Sequence, residues 1–532
     1  MDYLIHHMLR STTELLPEKE ALVHGSSRLS YLEFFRAVNS LAYGLKSAGL
    51  ERGDRIGIYL EPSIPQVLSI FAASQANAVF VPINHLLYPE QVGHIMEDCR
   101  MTALITTSSR LASLSEVISR TSSLAFVVAL NDSVPDLGLP VHVFETLCNQ
   151  SAPLQEDVCI EKDLAAILYT SGSTGKPKGV MLTHAQIMAG SSIVSTYLEI
   201  SPSERILAIL PLSFDAGLNQ LMTAVQQSAT LIMFNFSFAR EIVQIMAHEH
   251  VTALAGVPTL WSLLAQPQST LHKTPLPYLR YITNTGGAMP QTVLATLRQV
   301  LPSTRIFLMY GLTEAFRSTY LPPEELDRRP TSMGKAIPNT EILVVNEYGQ
   351  PCKPGEVGEL VHRGPTVSLG YWGKPELTNQ VLKPHPFIAP ELKDGERVCY
   401  SGDLVKTDEE GFLYYVGRRD TMIKTSGYRV SPTEVEEVLY RTGRLRGAAV
   451  IGVPDELLGQ HIKAFVVPID SEDHDPEWLA TYCAERMPRY MVPKSIEYLD
   501  DLPKTTSGKV DYPALRRLAQ SDEKLVALTD GV

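Results

Sequence analysis

Tyr169-Thr170-Ser171-Gly172-Ser173-Thr174-Gly175-Lys176-Pro177-Lys178-Gly179 is the stretch on which the reading of this chain turns. It follows the apolar run LAAIL and precedes VMLTH, so it sits between two strand-like segments. The ten residues from Thr170 hold three glycines, four hydroxyls and two lysines. Glycines let backbone N–H groups turn toward an anion, hydroxyls donate hydrogen bonds, and lysines neutralise charge. Together they suit a polyphosphate. The spacing does not fit GxxxxGK[ST], so this is not a Walker loop. A flexible polar turn is the alternative reading.

Around this stretch, strands and helices alternate. Helical spacing covers 3–16, and ALVHGSSRLSY (21–31) reads as two short strands around a turn. A helix is expected over 32–50, a strand over 55–60, a helix over 65–76 and a strand over 78–83. A helix over 89–98 follows, then strands over 102–107 and 124–130. The alternation predicts an α/β fold with mixed, mostly parallel sheets. From about 340 to 418 short strands are broken by Gly, Pro and acidic turns, which predicts a small β-rich subdomain. After GRRDTMIKTSGYRV (417–430) a compact α+β unit is expected. The expected division is an N-terminal core over 1–418 and a small mobile C-terminal domain over 419–532.

The chain has 532 residues, too many for one hydrophobic core. Its net charge of −13 argues against nucleic acid as the main partner. The six cysteines are scattered, without CxxC or Cys/His metal spacing, and read as reduced thiols. No apolar run of about 18 residues exists, so no membrane partner is expected. The N-terminus lacks the apolar core of a signal peptide, and the expected location is the cytoplasm.

The loop TSGSTGKPKG at 170–179 resembles the phosphate loop of the adenylate-forming superfamily: acyl-CoA synthetases, firefly luciferases and peptide-synthetase adenylation domains. Further blocks resemble that family in the same order. They are Tyr310-Gly311-Leu312-Thr313-Glu314, Gly358-Glu359-Leu360 with Gly370-Tyr371, Tyr400-Ser401-Gly402-Asp403-Leu404, Gly417-Arg418-Arg419-Asp420, and Pro503 to Lys509. The resemblance covers nearly the whole chain and implies ATP and Mg²⁺ as cofactors.

It also implies roles. Thr170, Ser171, Gly172, Ser173 and Gly175 would bind phosphates, with Thr174 and Lys178 in the catalytic group. Tyr310 offers a flat face for adenine, beside Gly311. Thr313 would donate to the α-phosphate and Glu314 would hold Mg²⁺. Gly286 and Gly287 would let the backbone approach the adenine. Asp403 could take both ribose hydroxyls, with Arg418 nearby. Lys509 would stabilise charge as the substrate carboxylate attacks. The C-terminal domain would then swing about Asp420, and Gly427 would line the thiol's path. Without the family, each residue has a plainer reading: a core tyrosine, a turn aspartate, a solvated lysine or arginine.

Pro211 to Asn219 (PLSFDAGLN) bears on the acid. Many acyl-CoA synthetases carry an uncharged residue where this chain has Asp215. The amino-acid-activating domains carry Phe-Asp, whose aspartate binds the α-ammonium. An unpaired buried carboxylate costs several kcal/mol, and a substrate ammonium would satisfy it. Asp215 as a cap of the following helix is the alternative. Asn219, Ala255, Thr283, Thr285, Met309, Arg317 and Ser318 match the remaining pocket positions, and Arg317 is unexplained. The chain is similar to stand-alone enzymes that load L-proline onto a carrier protein. The expectation is activation of an amino acid, L-proline first, and transfer to the phosphopantetheine of a separate carrier protein. An acyl-CoA ligase for a small acid, or a non-catalytic nucleotide-binding scaffold, remain alternatives.

Overall fold

The computed structural model describes residues 2–131, 136–170, 177–287, 289, 291–392, 395–418, 423–430, 432–469, 474–503, 510–512 and 514–520. Ser171, Gly172, Ser173, Thr174, Gly175, Asp420 and Lys509 lie outside the described residues, and so does the side chain of Arg418.

Two sheets dominate the first 336 residues. One has seven strands, in the order Val141–Val143, Phe126–Leu130, Ala103–Thr107, Arg55–Tyr59, Val79–Pro82, Leu164–Thr170, Lys178–Thr183. Only its last pair is antiparallel. The other has nine strands. Its centre, running from Glu20–His24 through Thr230–Met233, Arg205–Ala208, Ala253–Gly256 and Tyr281–Asn284 to Arg305–Leu312, is parallel. Both ends are antiparallel.

The largest core lies between these sheets. Strand residues Ile56 and Phe80 of one sheet and Ile206 and Phe307 of the other enclose helices Ile5–Leu15, Tyr31–Ser47, Ile64–Gln75, His184–Leu198 and Asp215–Gln226. The second helix shows why. Ser30 and Glu33 form a reciprocal capping box, Lys46 sits in the last turn, and Gly49 ends it at a left-handed φ of 105°. Its residues Tyr31, Phe34, Val38, Leu41 and Leu45 fall on one face and are fully buried. Each such side chain contributes about 1.5–3 kcal/mol by leaving water. Separate clusters cover the outer face of each sheet.

A third sheet contains Glu341–Val345, Gly358–Arg363, Leu382–Pro384, Arg397–Thr407 and Leu413–Arg418, all antiparallel, in the region expected to be β-rich. A fourth holds Ile423–Thr425, Tyr428–Val430, Leu445–Asp455, Gly459–Pro468 and Ser495–Tyr498. Helices Pro432–Tyr440 and Pro476–Ala484 cover one face of it. We refer to this last unit as the lid.

A helix was not expected directly after the strand Ala103–Thr107. Ser108–Arg120 joins two strands that the sequence reading placed in succession. No helix among the described residues is long and apolar enough to cross a membrane. All six cysteines are free. The first helix is clasped to the segment before the Leu164–Thr170 strand: Asp157 takes His6 at 2.7 Å, His7 at 3.0 Å and Arg10 at 3.0 Å.

Candidate active site

Parallel strands end in loops on one side of each sheet, and ligands favour the crevice there. One cavity follows that rule. About 370 Å³ of space is bounded by Asn84 after one strand, Leu210 after another, Val257 after a third, and Thr285, Gly286 and Gly287 after a fourth. The lid closes it with Ser426, Gly427, Tyr428 and Tyr490.

Of the residues singled out from the sequence, ten line this cavity: Thr170, Asp215, Thr285, Gly286, Gly287, Met309, Tyr310, Gly311, Thr313 and Gly427. Asp215 stands in the first turn of the helix Asp215–Gln226. Its side chain makes no capping hydrogen bond, and the N-cap is Phe214. The capping alternative is therefore corrected: Asp215 gains from the helix dipole but satisfies no backbone amide. Its carboxylate has no ion pair or hydrogen bond among the described residues.

The helix reaches this position because residue 217 is glycine. A Cβ there would lie 2.2 Å from the carbonyl oxygen of Pro211. At the opposite wall Gly286 adopts φ 79°, and an added Cβ would meet Gly427 of the lid at 3.3 Å.

Three of the expected pocket residues stand behind the wall. Ala255 packs on Leu210, Ala216 and Val257. Asn219 is 1% exposed, one helical turn beyond Asp215, and its Nδ2 finds no acceptor among the described residues. Ser318 is fully buried and donates to the carbonyl of Ala315. None of the three lines this cavity. Their strands and helix are buried on both faces, so neighbouring motifs located them in the chain without fixing the side they present.

Arg317 is also behind the wall. It is 4% exposed, adopts φ 66°, and donates at 3.4 Å to Thr285 Oγ1 and to the carbonyl of Ala216. It thus braces the residue after Asp215 against Thr285, which follows the strand Tyr281–Asn284 that holds the buried Thr283.

Tyr371 organises the expected magnesium ligand. Its hydroxyl donates to Glu314 Oε1 at 2.7 Å. It accepts from Lys178 Nζ at 3.4 Å, and the same ammonium lies 4.5 Å from the ring centre. Glu314 is 8% exposed. Asp403 is fully buried and does not line the cavity; the hydroxyl of Tyr310 donates to it, and Lys424 of the lid approaches it at 3.7 Å. The backbone of Arg418 pairs in register with Asp403.

Several site residues were not singled out from the sequence. Phe214 meets Tyr428 edge-on, and Tyr428 stacks on Tyr490 at 3.6 Å. Burial pushes the Tyr428 hydroxyl up to about 12, only partly offset by the neighbouring Asn84 side chain. Burial drives Tyr490 well upward too. Both rings are therefore neutral walls at ordinary pH. Tyr371 and Tyr428 each directly follow a glycine in a quoted motif, which was an available signal. Tyr490 carried none.

Residues 9–372 match the family described as AMP-binding enzyme, and residues 434–509 match the AMP-binding enzyme C-terminal domain. The chain belongs to the AMP-binding enzyme family. Relatives of this AMP-binding enzyme include a feruloyl-CoA synthase of an Amycolatopsis species, 33% identical over 94% of this chain and 96% of that one. Tyrocidine synthase 1 of Brevibacillus parabrevis is 30% identical over 96% of this chain, which spans 44% of that larger protein. A long-chain-fatty-acid–CoA ligase of Yersinia pestis is 31% identical over 92% of this chain and 89% of that one. Among solved structures, the amide bond synthetase McbA of Marinactinospora thermotolerans shares the fold with a TM-score of 0.84 at 23% identity, over 96% of this chain and 99% of that one.

Membership places this AMP-binding enzyme among the adenylate-forming enzymes, whose cofactors are ATP and Mg²⁺. The residues present fit them. Gly286 and Gly287 give a cavity edge without side chains, Tyr310 gives an aromatic face, and Glu314 gives a buried carboxylate oxygen of the kind Mg²⁺ takes.

Proposed function

We propose that this enzyme activates an amino acid, with L-proline as the first candidate, and passes the aminoacyl group to the phosphopantetheine thiol of a separate carrier protein. In the first half, the substrate carboxylate attacks the α-phosphorus of ATP, forming aminoacyl-AMP and expelling pyrophosphate. In the second, the thiol sulfur attacks the acyl carbon, AMP leaves, and the thiol proton passes to solvent. The observation that carries the amino-acid reading is the half-buried carboxylate of Asp215. It lines the cavity and has no ion pair or hydrogen bond among the described residues. A substrate ammonium supplies the missing countercharge.

The remaining roles follow the family pattern. The division of labour is between a core over 1–418 and a C-terminal domain over 419–532. Thr170 to Lys178 hold the phosphates, with Thr174 and Lys178 acting in catalysis. Glu314 would hold Mg²⁺, which supplies charge neutralisation at the phosphates. Tyr310, Gly286, Gly287 and Gly311 receive the adenine, and Thr313 the α-phosphate. Asp403 and Arg418 would bind the ribose. Lys509 serves the first half-reaction, and rotation about Asp420 brings Gly427 to the thiol for the second. Asn219, Ala255 and Ser318 shape the pocket from behind, through Asp215, Thr285 and Met309.

A second reading is a CoA ligase for a small carboxylic acid. It is favoured by the end-to-end match to a feruloyl-CoA synthase. Pyrophosphate exchange across the twenty amino acids and a dozen simple acids separates the two. Exchange with acetate or benzoate and with no amino acid would end the amino-acid reading. With the acid known, CoA and a phosphopantetheinylated carrier are compared as acceptors.

A further inference from the structure

One short segment of the core touches the lid at three points. Asn84 lies beside Tyr428 where both line the cavity. The hydroxyl of Tyr88 donates to the carbonyl of Ala484. Gln91 Nε2 donates to Glu434 Oε1 at 3.2 Å. These are residues of different lid elements: the first residue of the strand Tyr428–Val430, the last residue of the helix Pro476–Ala484, and the first turn of the helix Pro432–Tyr440.

The chemistry of the Tyr88 contact is specific. The last carbonyls of a helix have no intrahelical partner and must be satisfied from outside. Tyr88 supplies the donor for Ala484 from the other unit, while its ring packs against the lid core. Tyr88 is in turn held by Gln91, whose Oε1 accepts its backbone N–H at 3.1 Å. One side chain, Gln91, therefore fixes Tyr88 with one end and Glu434 with the other.

This contact selects one orientation of the lid. The lid sheet has two faces, since strand side chains alternate. Tyr88 joins the face of Val450, Ala464 and Val466. Leu502 and Val510, which flank the segment ending at Lys509, pack on the opposite face with Ala449, Ile451 and Phe465. Meanwhile the Ser426–Gly427 turn is at the cavity.

We propose that Tyr88 and Gln91 are positioning residues, a latch that holds the lid with Gly427 at the cavity for thiol transfer and is released for adenylation. This rests on the two-step reaction proposed above. Neither residue lines the cavity, so neither is part of its binding surface.

The test is Tyr88→Phe, which removes one hydroxyl, with Gln91→Ala as the second variant. Three measurements are made on the full chain: pyrophosphate exchange with the acid found by the panel, single-turnover transfer from enzyme-bound acyl-AMP to pantetheine, and hydrogen–deuterium exchange. Losing one hydrogen bond changes an equilibrium about 2- to 10-fold. Transfer should slow by about that factor in Tyr88→Phe, while pyrophosphate exchange holds or rises. Amides of 423–430 and 484–491 should exchange faster. Unchanged transfer, or transfer and pyrophosphate exchange falling together, overturns the latch. So does unchanged deuterium uptake at those segments, a readout that needs no substrate. Absence of pyrophosphate exchange with every acid instead overturns the proposed function, and the deuterium measurement alone then decides the latch.

Discussion

The ring of Tyr428 stands at 71° to that of Phe214, 5.1 Å between centroids, and Phe214 is the residue immediately before Asp215. The acid pocket and the lid therefore share a wall. A change in one is felt by the other through a contact of two neutral aromatic rings, an arrangement worth about 0.5–1.5 kcal/mol beyond its buried area.

Asp215→Ala should raise the KM for the amino acid by about 10- to 100-fold, the cost of one charge-assisted hydrogen bond. Binding of ATP, followed by calorimetry, should be unaffected. Asp215→Asn should fall close to Ala, because it keeps the shape and loses the charge. Unaltered kinetics in both variants would refute the ammonium role.

Tyr371→Phe removes the hydroxyl between Lys178 and Glu314 while leaving the ring under the ammonium. Folding should cost about 1 kcal/mol, as for one ordinary hydrogen bond. Pyrophosphate exchange should require more Mg²⁺ for half-maximal rate, because the Glu314 carboxylate loses its positioning donor. A magnesium titration of the exchange rate checks this, and an unshifted midpoint would mean that Glu314 is held without Tyr371.

Gly217→Ala should both destabilise the fold and weaken acid binding. The added methyl would sit 2.2 Å from the Pro211 oxygen, forcing the first turn of the helix to shift with Asp215 on it. Overpacking of this kind costs about 1–3 kcal/mol. Gly373, at φ 63° with nothing within 4 Å of an added Cβ, is the control. Its alanine variant should cost only about 1–2 kcal/mol of backbone strain and leave KM unchanged. Denaturant melts and acid titrations of the pair separate the effects.

Stability should fall as the solution is acidified below pH 6.5, in part because of His184. Burial lowers this imidazole from 6.5 to about 3, and its Nδ1 accepts the backbone N–H of Ile5. The unfolded chain binds the proton first, so the neutral ring's contribution is complete above 6.5 and is lost progressively down to about 3. The slope is about 1.4 kcal/mol per pH unit for one proton. His184→Gln should flatten the curve in that window, and an equally steep curve in the variant would assign the acid sensitivity elsewhere.

The alternation of elements was readable wherever apolar spacing was clean. The helix Tyr31–Ser47 carries its cap, its stripe and its stop within the chain itself. Ser108–Arg120 was missed because seven of its thirteen residues are serine or arginine, and its four buried residues, Leu111, Leu114, Val117 and Ile118, form only a sparse stripe. The partnering of Glu20–His24 with Thr230–Met233, across two hundred residues, has no local signature. In the site, glycines and charged residues betrayed themselves by type. Ala255 and Ser318 did not, since a strand buried on both faces has no alternation to say which side faces a ligand. Tyr490 reaches the cavity only by tertiary packing on Tyr428.

Because the cavity is walled by two units with separate cores, it will not travel intact when one of them is exchanged. A hybrid that joins this core to a lid from a relative would face Phe214, Val257 and Gly286 with a foreign surface. Recombination between core and lid should therefore succeed only when the partners of those three residues are transplanted as a set.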